Sequence, residues 1–162
     1  MEEQDLMREQ ALILTDRAYR HQQHGELGDA IALYRRSIAT FPTAEAHTYL
    51  GWAYAITDRH DEAIAECEKA IALDPDFGNP YNDIGAYLIE QDRSEEAIPW
   101  LEQAILAARY PTPQFAYVNL GRAYEQMGQP YRALAAYDQA LAIAPLYLPG
   151  TWAKTALLGR LN

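Results

Sequence analysis

The sequence predicts an all-α protein, an α-solenoid of about four helix–turn–helix units closed by a C-terminal capping helix. Three observations carry that prediction. Small residues recur at fixed intervals: Gly51 returns as Gly85 and Gly121, Ala63 as Ala97 and Ala133, and Ala70 as Ala104 and Ala140. Large residues return in the same register, as in the columns Leu50, Ile84, Leu120 and Cys67, Leu101, Tyr137. Within one period the apolar spacing is that of two helices. Leu50, Gly51 and Tyr54 make one stripe, and Ala63, Cys67, Ala70 and Ile71 make a second at i, i+4, i+7 and i+8.

The units fall at about 11–43, 44–77, 78–113 and 114–147, within a single domain 1–162. In the first, Ala18 takes the glycine column, Ala30 the first alanine column, Tyr34 the large one and Pro42 the proline, while Ser37 replaces the second alanine. Residues 3–10 extend its first helix. In the second, "TDRHD" (57–61) is a polar turn, and Asp74-Pro75 stops the second helix because proline cannot continue it.

In the third unit, Ser94 reads as an N-cap, with Glu95 and Glu96 complementing the helix dipole. Arg109 stands in its proline column, so its second helix is expected to run on to "YPTP" (110–113). Those two extra residues imply a local change in superhelical pitch, with a hinge as the alternative. In the fourth, Pro130 sits near a helix start, where its missing N–H costs little. Residues 148–161 form the capping helix over the exposed end that a stack of hairpins leaves.

The small columns have a packing reason. Gly51 and Ala63 bring the helices of one hairpin close, and Ala70 admits the helix of the next unit, while Tyr54 and the Cys67 column fill the space beside them.

The spaced pattern resembles that of the tetratricopeptide repeat family: a bulky residue, Leu-Gly, Tyr, Ala, a bulky residue, Ala, Pro. Unit two carries it as His47, Leu50-Gly51, Tyr54, Ala63, Cys67, Ala70 and Pro75. Unit four carries it as Tyr117, Leu120-Gly121, Tyr124, Ala133, Tyr137, Ala140 and Pro145. The resemblance implies a concave groove, lined by the first helix of each unit, in which an extended peptide or a partner helix docks.

The stripe opposite the packing residues then faces outward: Leu12, Thr15, Tyr19 and Gln22; Glu45, Thr48, Trp52 and Ala55; Asn79, Asn82, Ala86 and Ile89; Phe115, Val118, Arg122 and Glu125. Tyr49, Asp83 and Asn119 flank it, and Trp152 continues it. Tyr19, Trp52, Ile89, Phe115 and Val118 make this run more apolar than solvent exposure requires, as a binding surface is.

Asn82 and Asn119 add amides that both donate to and accept from a peptide backbone. Asn119 matches the asparagine with which some family members hold a ligand main chain. The groove residues expected from sequence are therefore Tyr19, Tyr49, Trp52, Asn82, Ile89, Phe115, Asn119, Arg122 and Trp152. Family members that grip a terminal carboxylate use Lys, Arg and Asn at first-helix positions that match Thr15, Tyr19, Tyr49, Asn79 and Asp83 here. None of these is basic, and Arg122 is the groove's only cation.

Composition narrows the function. The net charge is −10, with −6 in residues 44–77, −4 in 78–113 and +2 in 114–162. No cluster of Lys and Arg larger than Arg35-Arg36 is present, which argues against nucleic acid. The acidic N-terminal stretch has no secretory-signal core, and no apolar run approaches the roughly 18 residues that span a bilayer. A single cysteine excludes an internal disulfide framework and suits a reducing, cytoplasmic setting.

Catalytic motifs are missing: no glycine-rich phosphate loop, no Gly-x-Ser-x-Gly, no His-Glu-x-x-His. His60, Asp61, Glu62 and Cys67 look like a catalytic set, but Cys67 occupies a packing column and the others belong to a turn. His21 and His24 lie three apart without further evident metal ligands, and Glu66 and Glu68 read as solvated surface. No metal and no cofactor is expected. The sequence thus points to a non-enzymatic interaction module or scaffold with a protein or peptide partner. A self-associating scaffold built through groove, cap helix or N-terminal extension is the alternative, and a regulatory or enzymatic subunit with an unrecognised site a remote one.

Overall fold

A computed structural model describes residues 2–162. Among them are nine α-helices and no strand: α1 (Glu2–Gln23), α2 (Leu27–Thr40), α3 (Ala44–Ile56), α4 (His60–Leu73), α5 (Asn79–Glu90), α6 (Ser94–Leu106), α7 (Pro113–Gln126), α8 (Pro130–Ile143) and α9 (Leu148–Leu161). They gather into two compact units, one ending at Pro75 and one spanning Asp76–Asn162.

Each hairpin turns in the same way. One residue per turn has positive φ: Gly25 (77°), Asp58 (62°), Asp92 (62°) and Gly128 (69°). The residue after each donates its N–H back across the turn, Glu26 to His21, Arg59 to Tyr54, Arg93 to Leu88 and Gln129 to Tyr124, at 2.8–3.0 Å. The left-handed residue itself donates three residues back, completing the 6→1 and 5→2 pair that ends a helix tightly. Two of the four positions hold aspartate, which tolerates this conformation less readily than glycine.

The unit up to Pro75 packs α1 on α2 and α3 on α4, with α2 against α3. Ala18, Ala30, Ala63 and Ala70 are fully buried, as the packing columns require. Ser37 keeps its place in an alanine column because its hydroxyl donates to the Ala11 carbonyl at 2.7 Å. Having spent its only proton there, Ser37 accepts from Thr15 at 2.8 Å. The polar departure from the repeat is thereby satisfied.

The unit from Asp76 packs α5 on α6 and α7 on α8, with α6 against α7 and α9 on α8. Val118, Ala133, Tyr137, Ala140 and Leu157 share one core, so α9 does cover the last hairpin. Two expectations are corrected. α6 ends at Leu106 rather than running on to 110–113, because residues 107–112 are drawn back onto 76–78. Arg109 makes a parallel bridge with Phe77, its N–H donating to Asp76 O (2.9 Å) and its carbonyl accepting from Gly78 N (3.1 Å). Its guanidinium lies 4.3 Å from the Phe77 ring centre. Gly78 permits this, since a Cβ there would meet Tyr110 Cβ at 2.4 Å. Ser94 is not the N-cap: the cap is Arg93, and the buried Ser94 hydroxyl donates to Gln126 of α7 instead.

Candidate functional site

In the first unit, the exposed edge of α1 and α3 carries aromatics. Tyr19 and Tyr49 meet with ring centres 5.3 Å apart, and Tyr49 stacks on Tyr34 of α2 at 6.1 Å. Tyr34 is fully buried, and its hydroxyl is fixed by donating to Gln22 Oε1 at 2.8 Å. One turn beyond Tyr49, Trp52 keeps 39 % of its surface exposed, much like Tyr19 at 37 %. A tyrosine pair anchored from beneath and a neighbouring exposed indole form a rigid, amphipathic surface of the kind partners use.

In the second unit, α5 and α7 meet through polar groups. Arg122 Nη1 donates to Asn119 Oδ1 at 3.0 Å, and Asn119 Nδ2 donates to Asn82 Oδ1 at 3.0 Å. Asn82 in turn hydrogen-bonds Asp83. Burial raises the Asp83 carboxyl to about 7, only partly offset by that bond from Asn82. Phe115 opens α7 and leans on Tyr147 with ring centres 5.2 Å apart, while Trp152 on α9 is 65 % exposed.

The structure therefore brings together Tyr19 and Tyr49 in one unit, and Asn82, Asn119 and Arg122 in the other. It overturns the outward placement of Ile89, which is 1 % exposed, and of Val118, which lies in the core with Leu157. Asn82, Thr15 and Thr48 are buried as well. The reasons differ from helix to helix: α5 meets α7, where Asn82 bonds Asn119, Val118 packs with Leu157 of α9, and Thr15 turns to Ser37 of α2. Thr48 satisfies itself on Ala44 O at 2.7 Å. Glu125 is likewise engaged, accepting from Tyr137 of α8 and Arg160 of α9.

The apparent catalytic set comes apart. Cys67 is fully buried under Gly51, while Asp61 and Glu62 are exposed and His60 Nδ1 lies 3.2 Å from Asp58. Glu66, expected on the surface, is buried and accepts from His47 Nδ1 (2.6 Å) and Lys69 Nζ (2.8 Å). Burial pushes its carboxyl up, but the bonds from His47 and Lys69 outweigh it and hold the group below the ordinary carboxylate range.

The periodic pattern held a clue to that pair. Glu66 occupies the column of Leu33, Trp100 and Ala136, and His47 that of Tyr81 and Tyr117. His21, paired in sequence with His24, instead approaches Glu26 and Asp29, their ligand atoms lying within 4.8 Å of one another. All three are at least partly exposed, and Arg17 and Arg20 line the same depression. Among the described residues no helix is long and apolar enough to cross a membrane.

Two family models described as tetratricopeptide repeat match the chain, one over residues 15–76 and one over 76–146. The type IV pilus assembly protein PilF of Pseudomonas aeruginosa is 30 % identical over 122 residues, covering 75 % of this chain and 48 % of PilF. Anaphase-promoting complex subunit 6 of Arabidopsis thaliana is 27 % identical over 124 residues, covering 74 % of this chain and 23 % of that protein. The chain thus spans about half the length of the first and under a quarter of the second.

Among solved structures, that of Pseudomonas aeruginosa PilF matches with a TM-score of 0.86 over 97 % of this chain and 70 % of its own, at 25 % identity. PilW, a widely conserved type IV pilus biogenesis factor, matches in fold with a TM-score of 0.81. The match covers 86 % of this chain and 64 % of its own, at 24 % identity.

Proposed function

The chain belongs to the tetratricopeptide repeat family, and we propose that it acts without catalysis, as a scaffold whose first-helix faces hold a peptide or helix of another protein. The observation that carries this reading is the Tyr19–Tyr49 pair with Trp52 exposed on the next turn of α3. The repeat pattern requires no indole at position 52, and burying one at an interface is a strong source of affinity. Two relatives named for a pilus assembly and a protein complex support a role in assembling other proteins. A cytoplasmic setting, with its single thiol buried, belongs to the same proposal.

Trp52→Ala is expected to lower partner recovery in affinity capture at least tenfold, about 1.4 kcal/mol, while the thermal midpoint stays within roughly 2 °C of wild type, as for a surface change. Loss of folding instead would make Trp52 structural and sink the proposal.

A second reading rests on a different observation. Leu6, Leu12 and Ile13 of α1 and Trp152, Leu158 and Leu161 of α9 are exposed. The first turn of α1 is acidic whereas residues 114–162 carry a net charge of +2, an asymmetry that favours head-to-tail association. Light scattering across concentrations is expected to show mass growing with concentration and falling back in Trp152→Glu. A monomer at every concentration removes this reading.

A further inference from the structure

We infer that the first hairpin turn is a metal site, in which a divalent transition-metal ion of the zinc type is held by His21 of α1 with Glu26 and Asp29 at the start of α2. Sequence alone sets His21 beside His24 and offers no third ligand; the fold gives His21 two carboxylates instead. The inference stands apart from the scaffold reading, since it concerns the turn and not the surface that carries Tyr19 and Trp52.

Backbone geometry brings the three residues together. Gly25, at φ 77°, folds the chain so that the Glu26 N–H donates to the His21 carbonyl at 2.9 Å, which fixes residues 21 and 26 side by side. Asp29 follows Glu26 by one helical turn and so shares its face. Glu26 stands at the N-cap of α2, yet its side chain makes no capping bond there and turns to Nδ1 of His21. One ligand atom from each of the three residues lies within 4.8 Å of the other two. Tetrahedral zinc, about 2.0–2.2 Å from nitrogen and oxygen ligands, needs those atoms roughly 3.3–3.6 Å apart. Rotation of two exposed carboxylates reaches that spacing.

The sister turns show that a cation belongs at this place. The positions of Glu26 and Asp29 are those of Arg59 and Glu62, of Arg93 and Glu96, and of Gln129 and Arg132. The first two pairs are ion pairs at 2.6 and 2.5 Å, and the third is a hydrogen bond at 3.2 Å. The position of His21 is that of Tyr54 and Tyr124. A guanidinium lies over each of those rings, Arg59 at 4.2 Å and Arg132 at 5.9 Å from its centre. Each of these three turns thus carries its own guanidinium at the pair. The first turn puts a second acid in its place and sets an imidazole where a tyrosine ring stands in two of the others.

The arginines nearby do not cancel this charge. Arg20 is drawn back along α1 to Asp16 at 2.7 Å. Arg17 lines the same depression, and its one charge does not neutralise two carboxylates. The donor set selects the metal. One imidazole nitrogen with two carboxylate oxygens suits zinc and its transition-metal neighbours, whereas magnesium and calcium take oxygen ligands alone. The metal takes the place of the proton between His21 Nδ1 and Glu26, and the ring stays neutral with its proton on Nε2. Water fills the fourth position.

The test titrates the full chain, isotope-labelled, with zinc alone and separately with magnesium alone, and reads the ring signals of the four histidines. One equivalent of zinc is expected to shift the His21 ring and to leave those of His47 and His60 in place, while magnesium moves none. Calorimetry gives the affinity. Loss of an outer-shell partner already costs about 10–100-fold in metal affinity. Glu26→Gln and Asp29→Asn each remove a direct ligand, so each is expected to weaken zinc binding by about tenfold or more. Both are isosteric changes at exposed positions, and their dispersed spectra verify folding.

Zinc that binds both variants as tightly as wild type overturns the site, because the imidazoles of His21 and His24 would then suffice without the carboxylates. Equal shifts from magnesium overturn it too, making the attraction general to an acidic protein. A His21 ring that stays in place with zinc in excess overturns it outright. None of these results touches the Trp52 capture experiment, which reads a different surface.

Discussion

Alanine at Gly121 lowers the thermal midpoint by roughly 4–8 °C, whereas alanine at Gly159 raises it slightly. Both glycines lie inside helices, where alanine is intrinsically better by about 1 kcal/mol. The difference is space. A Cβ on Gly121 meets the Tyr137 ring at 2.1 Å, while nothing lies within 4 Å of one on Gly159. The Tyr137 ring cannot swing aside cheaply. It is fully buried, and its hydroxyl donates to Glu125, which also holds Arg160 of α9. Displacing it loosens both the α7–α8 contact and the cap.

Overpacking costs at most about 3 kcal/mol in such cases, so the net loss is about 2 kcal/mol, or the stated few degrees in a chain of this size. Calorimetry on the two variants measures it. Equal midpoints for Gly121→Ala and wild type would mean that the repeat's glycine column is not a close-approach column.

The repeat itself was legible because it is a pattern of volumes. Gly51, Gly85 and Gly121 stand opposite Cys67, Leu101 and Tyr137, and each contact is short because the glycine has no side chain. Helix stops at Asp74-Pro75 and starts at Pro130 were legible for a similar reason, since proline acts on its own backbone. What stayed hidden depends on pairs of residues distant in sequence. The end of α6 is set by Arg109 meeting Phe77, and the Ser94 hydroxyl is claimed by Gln126, neither of which a local rule registers.

The exposed faces of the first helices were half legible. Helical spacing shows which stripe points away from a helix's own hairpin. It does not show that a neighbouring helix covers part of that stripe, as α7 does at Asn82 and α9 at Val118. The common left-handed turn residue also escaped notice, because two of its four members are aspartate rather than glycine.

Removing Glu66 alone destabilises the protein by on the order of 3 kcal/mol, and removing it together with His47 restores most of the loss. Glu66→Leu strands a buried imidazole that has lost its acceptor and leaves Lys69 without its partner. Breaking one side of a buried pair is costly for that reason, and the low end of the usual range applies because the Glu66 side chain remains 11 % exposed. In the double variant His47→Tyr with Glu66→Leu, no polar group is stranded in this way. The protein already contains the apolar solution: Tyr81 and Trp100 fill the same two columns in the next repeat, with ring centres 6.2 Å apart.

The acid limb of the stability curve separates this account from simple packing. The folded state holds Glu66 below its ordinary value of 4.5, so its contribution is complete above that pH and is lost as pH falls through the lower folded value. Wild type should therefore lose stability more steeply below about pH 4.5 than Glu66→Gln, which has nothing to protonate. Urea midpoints from pH 3 to pH 7 measure both slopes. Parallel curves would mean that the His47–Glu66–Lys69 cluster fills space without contributing through its charge.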